Sequence, residues 1–286
     1  MEACNLGKTI IDELRICYIA EPETLRELSA IEVGGCKKYF NFTLVRVLCP
    51  HFKYGFNVFY GKDAESGIKV AMLKFRRHGE KKDCQYLYYR LENQILYKTD
   101  LMKRSLTIPD KLGCQFNNFT AIDLCRDFDK NITRKIHRLM RNKDTTVIIN
   151  GKARDKTKNI MEGILIYPLN LTRLNNPSIC IKQAKALKDK TKGLTLCSYD
   201  KNLEIEESSG KNYIKSFYGS PKYLHRLEVH QNSQEIKDYF YKIKEPMTLS
   251  ILFDQEILDD MFEYHLSSLL RFTKGRERMK WSEILQ

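Results

Sequence analysis

Three separate stretches of the chain alternate between apolar and polar residues, which is the pattern of half-buried β-strands. In the first, FTAIDLCRDF (119–128), Ile122 and Leu124 point to one face, while Asp123 and Asp127 point to the other. The polar face of this predicted strand therefore carries two carboxylates. In a regular strand they are about 13 to 14 Å apart, so a ligand shared by both requires a bend or a strand end.

The other two stretches divide their residues in the same way. GLTLCSYDKNLE places Tyr199 and Lys201 on one polar face, and YLHRLEVHQN places Arg226, Glu228 and His230 on another. If the three strands are neighbours in one antiparallel sheet, their polar faces form a single site and their apolar faces pack on helices. A tyrosine, a lysine and several carboxylates on one surface are the residue types that metal-dependent phosphoryl transfer needs.

Each of these features also has an ordinary structural interpretation. An average tyrosine in a strand is a half-buried aromatic with a wet hydroxyl, and Tyr199 fits that description. Asp127 is well placed to cap the N-terminus of the helix predicted to follow it. A polar sheet face is often only solvated. The pattern alone leaves these interpretations open.

The rest of the pattern predicts an α+β fold, built on mainly antiparallel β-sheet with helices packed on one face and a helical C-terminal extension. Residues 1–118 form a strand-rich region with runs of Val, Phe and Tyr. Residues 119–245 hold the three polar strands and a helix at about 130–142, and residues 246–286 form the extension. In the extension, His265 lies on an apolar stripe, which indicates packing rather than ligand binding.

Charge then narrows the class of partner. The 286 residues carry a net charge of +13, which points to nucleic acid or an anionic membrane surface. No apolar run approaches the roughly 20 residues of a membrane span, and the N-terminus lacks the apolar core of a signal peptide. The nine cysteines include no C-x-x-C and no Cys/His cluster at zinc spacing. We therefore expect a cytoplasmic protein that binds DNA and not a membrane.

Three basic segments flank two of the polar strands and are the expected DNA-binding surface, although a charge run is usually only a solvated face. The first lies on the predicted helix at 130–142, the second in the loop NGKARDKTKN, and the third in KQAKALKDKTKG. The residues expected to contact phosphates are Arg134, Lys135, Arg138, Arg141, Lys152, Arg154, Lys188, Lys190 and Lys192.

The N-terminal region contains an echo of the third polar strand. YYRLENQ places Arg90 and Glu92 as LHRLEVHQN places Arg226 and Glu228, but the N-terminal half has no counterpart of Y-D-K. We interpret residues 1–118 as a sister sheet that shapes or grips DNA. This interpretation predicts that Arg90 and Arg226 lie on equivalent strands of two related sheets.

Three short motifs follow one another along the chain: I-D-L-x-x-D at 122–127, Y-D-K at 199–201 with Glu204 after it, and R-L-E-V at 226–229. This order resembles the rolling-circle replication initiators of the Rep-trans family, which includes plasmid initiators, relaxases of integrative elements and some filamentous-phage replication proteins. The family often has an arginine two residues before the tyrosine. Here Cys197 stands at that position.

The resemblance implies a site-specific DNA nickase that initiates replication. Tyr199 would attack a phosphodiester and become joined to DNA through a 5′-phosphotyrosine link, leaving a 3′-hydroxyl that primes rolling-circle synthesis. Because Cys197 replaces the arginine, the contact with the phosphate would fall to Lys201, Arg226 or a basic loop. Tyr199, Lys201 and Arg226 are thus the expected catalytic residues.

The chemistry also calls for a metal ion. A free phenol has a pKa of about 10, so a tyrosine nucleophile needs help at neutral pH. Mg²⁺ or Mn²⁺ held by oxygen ligands polarises the scissile phosphate, and Asp123 and Glu228 are the preferred ligands. Asp127 and His230 are further candidates. Lys201 could lower the pKa of the phenol or contact the phosphate as a point charge.

Alternative functions remain at this stage. A relaxase of a mobilisable element uses the same nicking step, a non-catalytic DNA-binding initiator or repressor needs only the charge, and a carboxylate-metal nuclease activates water with Asp123, Glu228 and Lys201. The expected DNA partner is an origin that is partly single-stranded or hairpin. A helicase and a second copy of the chain are two further partners left open.

Overall fold

The structure is a computed structural model that divides the chain into two compact units. The N-terminal unit comprises Asp12–Ile122 and Met247–Leu249, and the C-terminal unit comprises Met1–Ile11, Asp123–Pro246 and Ser250–Gln286. The residues that the structure describes are 6–61, 64–76, 85–154, 164–168, 177–183 and 193–286.

The N-terminal unit is built on an antiparallel sheet with strand order β2-β3-β4-β5-β6-β1. Its strands are β1 (Thr9–Ala20), β2 (Cys36–Lys38), β3 (Phe42–Val47), β4 (Tyr54–Tyr60), β5 (Ile68–Phe75) and β6 (Tyr86–Leu91). Its helices are α1 (Pro22–Ser29), α2 (Asn93–Leu96), α3 (Thr99–Leu106) and α4 (Ile108–Lys111). β6 alternates strictly, with Leu87, Tyr89 and Leu91 buried, so one face of this strand lies in the core and the other faces outward.

The C-terminal unit contains a larger sheet in which β10, β11, β12, β13 and β7 follow one another, and a second sheet of order β15-β14-β8-β9. Its strands are β7 (Cys114–Phe128, from Asp123 onward), β8 (Thr145–Ile149), β9 (Lys152–Ala153), β10 (Ile164–Pro168), β11 (Pro177–Lys182), β12 (Thr195–Asp200), β13 (His225–Asn232), β14 (Leu270–Lys274) and β15 (Glu277–Arg278). Its helices are α5 (Ile132–Arg141), α6 (Lys201–Glu204), α7 (Asn212–Phe217), α8 (Ser233–Ile243), α9 (Gln255–Leu269) and α10 (Trp281–Leu285).

The core of the C-terminal unit lies between its larger sheet and the helices α5 and α9, which both pack on β12 and β13. Leu196, Leu227 and Val229 point from the strands into this core and are buried. Ser198 points the same way, since its hydroxyl lies 2.8 Å from that of Thr133 on α5. The opposite faces of β12 and β13 therefore carry Tyr199, Glu228 and their neighbours.

The two units share one topology. In the N-terminal unit β1 and α1 are followed, after the short edge strand β2, by β3, β4, β5 and β6, and these strands lie in the order β3-β4-β5-β6-β1. In the C-terminal unit β7 and α5 are followed, after β8 and β9 of the second sheet, by β10, β11, β12 and β13, with strand order β10-β11-β12-β13-β7. β6 and β13 hold equivalent places, so Arg90 and Arg226 lie on corresponding strands of two similar sheets. The Arg-Leu-Glu echo in the sequence marks this equivalence.

The predicted fold class is confirmed: the protein is α+β, with mainly antiparallel sheet, a second small sheet and a helix near the C-terminus. Residues 246–286 contain α9, but they also contribute β14 and β15. None of the helices in the described part of the chain is both long enough and apolar enough to cross a membrane.

Two helix starts in the C-terminal unit are set by capping side chains that the sequence interpretation did not identify. The strand alternation expected to reach Lys201 ends at Asp200, whose side chain accepts a hydrogen bond from the Leu203 backbone N–H and so caps α6. The helix expected after Asp127 is capped by Asn131, whose side chain accepts from the Arg134 N–H. Asp127 is therefore not the helix cap, because it still belongs to β7. In both cases a short polar side chain decides where the helix begins.

Candidate active site

The three strands with polar faces lie side by side in the C-terminal unit, with β13 between β12 and β7. The antiparallel register of β12 and β13 places Tyr199 opposite Arg226 and Cys197 opposite Glu228. We call the surface formed by Asp123, Tyr199, Glu228 and His230 the Tyr199 face.

The Tyr199 hydroxyl donates a hydrogen bond to Oε2 of Glu228, at 2.8 Å. The bond is diagonal across the two strands, because Glu228 lies two residues along β13 from the position directly opposite Tyr199. Both side chains are half-buried. A carboxylate in this position can accept the phenolic proton when the oxygen attacks.

Asp123 and His230 form the second pair on the Tyr199 face. Nδ1 of His230 contacts Oδ1 of Asp123, and its Nε2 lies 3.2 Å from Oδ1 of Asn232. Asn232 in turn donates to the backbone carbonyl of Gly193 at 3.0 Å. Because Oδ1 of Asn232 can only accept a hydrogen bond, it orients the ring through Nε2, and in a neutral imidazole Nδ1 then carries the lone pair beside the Asp123 carboxylate.

Asp127 and Arg226 form an ion pair that is buried, so a substrate cannot reach either side chain. Nε and Nη2 of Arg226 donate to the two carboxylate oxygens of Asp127 at 2.8 and 2.6 Å, and both side chains are 0% exposed. Burial, and secondly the nearby Asp127, raise the pKa of Tyr218, so its phenol stays neutral against this pair. The predicted metal-ligand role of Asp127 and the predicted phosphate contact of Arg226 both conflict with this burial.

Lys201 lies beside Tyr199, but as the first residue of α6 rather than on the strand. It is 2% exposed, and its ammonium forms an ion pair with Glu204 at 2.8 Å. The same ammonium is 5.5 Å from the centroid of the Tyr199 ring. It therefore contacts the face of the ring, where a cation–π interaction holds the aromatic in place.

Cys197, the residue that departs from the family pattern, pairs with another cysteine. It lies opposite Cys180 on β11, and its thiol donates to the sulfur of Cys180 at 3.5 Å. The accepted hydrogen bond lowers the pKa of Cys180, and the donated one, together with burial, raises that of Cys197. The sequence did not predict this pair, because it depends on the register of two strands.

The basic residues of α5 do not line the Tyr199 face. α5 packs on the opposite side of the sheet, as the contact between Thr133 and Ser198 shows. Lys135 is half-buried and the other predicted contacts on this helix are exposed: Arg134, Arg138 and Arg141. They form a basic surface on the helical side of the C-terminal unit.

Lys152 and Arg154 line a cleft of about 1050 Å³ between the small sheet, α8 and α9. Three cations of the cleft were not predicted, because they are scattered along the sequence: Lys242, Arg271 and Arg278. We call the cleft lined by these five cations the basic cleft.

The two acidic residues of the basic cleft are already engaged, since Asp260 accepts from Tyr239 at 2.8 Å and Glu263 pairs with Arg126 at 2.9 Å. Within the described residues, Lys152, Arg154 and Arg271 have no carboxylate partner. Lys188, Lys190 and Lys192 lie outside the described residues.

Two side chains of the Tyr199 face have donor atoms that a divalent cation can bind. Among the residues that the structure describes, no three His, Cys, Asp or Glu side chains converge as a ready-made metal site. Asp123 and His230, however, contact each other, and the side chain of His230 is 27% exposed beside the largely buried carboxylate of Asp123. Mg²⁺ is commonly held by one or two protein ligands and completes its shell with water and substrate phosphate oxygens, and Mn²⁺ also accepts imidazole. This pair fits such a cation.

In comparisons with known proteins, no model of a protein family matches the chain, and no curated protein matches it.

Proposed function

We propose that the chain is a DNA nicking and rejoining enzyme that initiates rolling-circle replication, with Tyr199 as its nucleophile. The observation that carries the proposal is the hydrogen bond from the Tyr199 hydroxyl to Glu228, beside the Asp123–His230 pair on the same face. A tyrosine, a base and a pair of cation ligands on an accessible sheet face meet the needs of phosphodiester attack. The net charge of +13 favours a polyanionic substrate.

In the proposed reaction, Glu228 takes the proton from the Tyr199 hydroxyl as the oxygen attacks phosphorus. The new bond joins the tyrosine oxygen to the 5′-phosphate, and the bond from phosphorus to the 3′-oxygen breaks. The leaving 3′-oxygen takes a proton from solvent. The link conserves the phosphoester, so attack by a 3′-hydroxyl reverses the step and rejoins the strand.

The other residues act by position and charge. A divalent cation held by Asp123 and His230 would offset the negative charge that develops on the phosphate. Lys201 holds the Tyr199 ring from its face, and the buried pair of Asp127 and Arg226 holds β7 against β13. In this proposal Glu228 serves as the general base, and His230 takes the place of Glu228 as the second metal ligand beside Asp123.

The basic surface of α5 and the basic cleft supply phosphate contacts away from the Tyr199 face. Contacts of this kind give affinity without sequence recognition, since the backbone is the same at every position. A relaxase uses the same nicking step, so the proposed chemistry holds for either biological role.

Substitution of the nucleophile tests the proposal. The substrate is a supercoiled plasmid that carries the DNA encoding this chain with its flanks, incubated with Mn²⁺. We expect the wild type to convert it to open circles, Tyr199→Phe to lose this activity while still binding the DNA, and Tyr241→Phe to behave as wild type, since Tyr241 is 89% exposed on α8. Nicking by Tyr199→Phe at the wild-type rate would overturn the proposal.

A further inference from the structure

The N-terminal unit presents an open sheet face that carries aromatic side chains. Tyr86 and Tyr88 of β6 point outward and are 39% and 37% exposed, and Ile19 of β1 is 43% exposed. The register places Ile19 opposite Tyr86 and Cys17 opposite Tyr88. These exposed side chains therefore form one continuous patch rather than scattered surface residues.

Phe52 extends this patch beyond the strands. Its ring centroid lies 5.6 Å from that of Tyr88 in an edge-on arrangement. The ammonium of Lys74 and the guanidinium of Arg76 lie 5.8 and 5.1 Å from the Phe52 centroid. Lys74 is also directly opposite Tyr88 on the neighbouring strand β5. Aromatic rings and cations thus alternate across the face.

Further charges lie along the same face. The side chains of Arg15 and Arg90 are each 47% exposed and share the carboxylate of Glu13. One carboxylate between two arginines leaves excess positive charge beside the tyrosines, so the patch is complementary to a polyanion.

The sheet face of the N-terminal unit differs from the Tyr199 face at two equivalent positions. Met72 lies opposite Arg90, which is the place that Tyr199 takes opposite Arg226 in the C-terminal unit. The N-terminal face therefore lacks a nucleophile at the equivalent position. Arg226 is 0% exposed, whereas the Arg90 side chain is 47% exposed, so the arginine of the N-terminal face is open to a ligand.

We propose that the face formed by Phe52, Lys74, Tyr86, Tyr88 and Arg90 binds single-stranded DNA. Bases stack on the exposed rings, and the cations between them contact the phosphates, as in other sheets that bind single strands. A shallow face with rings pointing outward can stack only unpaired bases, which excludes an intact duplex as the preferred ligand. The inference rests on the proposed function only in taking DNA as the partner.

Binding of a fluorescently labelled oligothymidylate, measured by anisotropy, tests the inference. Loss of base stacking on an aromatic side chain typically weakens binding roughly 5- to 150-fold. We expect Tyr86→Ala and Tyr88→Ala each to weaken binding at least about fivefold. Tyr86→Phe and Tyr88→Phe keep the ring and should bind as wild type. Tyr241→Ala, which removes an exposed tyrosine of α8, is the matched control and should also bind as wild type.

Several outcomes would overturn the inference. One is wild-type affinity in both alanine variants. Another is a loss of affinity in the phenylalanine variants, or in Tyr241→Ala, as large as that in the alanine variants. The last is a closed DNA hairpin that binds as tightly as the oligothymidylate and depends on the same tyrosines. The phenylalanine variants keep the test valid if an alanine variant fails to fold.

The same variants separate this site from the proposed catalysis. With single-stranded DNA from the protein's own coding region at a saturating concentration, the alanine variants should still form the covalent complex through Tyr199. Stacking without any covalent complex would contradict the proposed function and leave the binding site intact.

Discussion

The Tyr199 hydroxyl and the Glu228 carboxylate are linked by one hydrogen bond of 2.8 Å. A tyrosine on the outer face of a strand is usually a half-buried aromatic, and nothing in its own stretch of sequence indicates more. What distinguishes Tyr199 is the carboxylate that accepts its hydrogen bond and the ammonium of Lys201 against its ring. Both partners come from outside β12.

Glu228→Gln tests the role of that carboxylate. The amide oxygen still accepts the hydrogen bond from Tyr199, but it does not take the proton, so we expect the nicking rate to fall about 100- to 10,000-fold. DNA affinity should not change. Glu92→Gln alters the equivalent residue of the N-terminal unit and serves as control. A rate for Glu228→Gln within about tenfold of wild type would show that Glu228 is not the base.

At the residue scale, the alternation of side chains sufficed to place Asp123, Tyr199 and Glu228 on polar faces. It could not show that Asp127 and Arg226 are buried, because this depends on their pairing across β7 and β13 and on the cover that Tyr218 provides. These two residues look like site residues in the sequence, since a buried ion pair and a catalytic pair use the same residue types.

The elements β7 and β13 are joined by a bidentate ion pair with no exposed atoms. Such a pair stabilises little relative to an apolar core, but loss of one partner leaves a buried charge uncompensated.

Asp127→Asn should therefore destabilise the protein by about 3 to 5 kcal/mol, measured from urea unfolding. Asp123→Asn removes a carboxylate from the same strand whose partner, His230, is 27% exposed rather than fully buried, and it should cost less. Equal stability of Asp127→Asn and wild type would contradict the structural role that we assign to the pair.

Helix α9 carries a second buried group, His265. Burial, and secondly the charge of Lys242, lower the pKa of His265 to about 3. The unfolded chain, with a histidine pKa of about 6.5, then binds more protons than the folded chain between these values. Stability is therefore complete above about pH 6.5 and is lost as the pH falls toward 3.

His265→Leu should make stability less dependent on pH. The wild type should lose up to about 1.4 kcal/mol per pH unit through this residue below about pH 6.5. We expect the urea midpoint of His265→Leu to fall less than that of wild type between about pH 7 and about pH 5. Exposed His51 supplies the control variant, His51→Leu. An unchanged pH dependence in His265→Leu would contradict the assignment.

At the element scale, alternation located the three polar strands, the sequence pattern located helix α5, and the Arg-Leu-Glu echo indicated two related strands. The end of β12 at Asp200 was missed because the alternation continues to Lys201, while the backbone follows the cap that Asp200 provides. Periodicity describes which side a residue faces, but a single side-chain hydrogen bond decides where the element ends.

At the scale of the whole molecule, the net charge is +13, but the basic residues are not distributed evenly over the surface. The Tyr199 face itself is rich in carboxylates, and the cations gather on α5 and in the basic cleft on the helical side of the C-terminal unit. The fold class followed from the order of predicted elements. The cleft could not be predicted, because its cations come from β9, α8, β14 and β15.

Charge reversal in the basic cleft tests whether it contacts DNA. Lys152→Glu and Arg271→Glu should each weaken DNA binding and lower the slope of log affinity against log salt by about one. Lys237→Glu makes the same charge change on the exposed side of α8 and should leave the slope as it is. If all three variants weaken DNA binding equally, the effect comes from net charge alone, and the basic cleft does not contact DNA.

The most direct test of the account is to identify the amino acid that becomes joined to DNA. The protein is incubated with single-stranded DNA from its own coding region, labelled at the 3′ end, and Mn²⁺; the complex is then digested with trypsin and analysed by mass spectrometry. We predict a nucleotide bound through a 5′-phosphate to the peptide GLTLCSYDK, residues 193–201, whose one tyrosine is Tyr199. Cleaved DNA with no adduct, or an adduct on another tyrosine, would contradict the account.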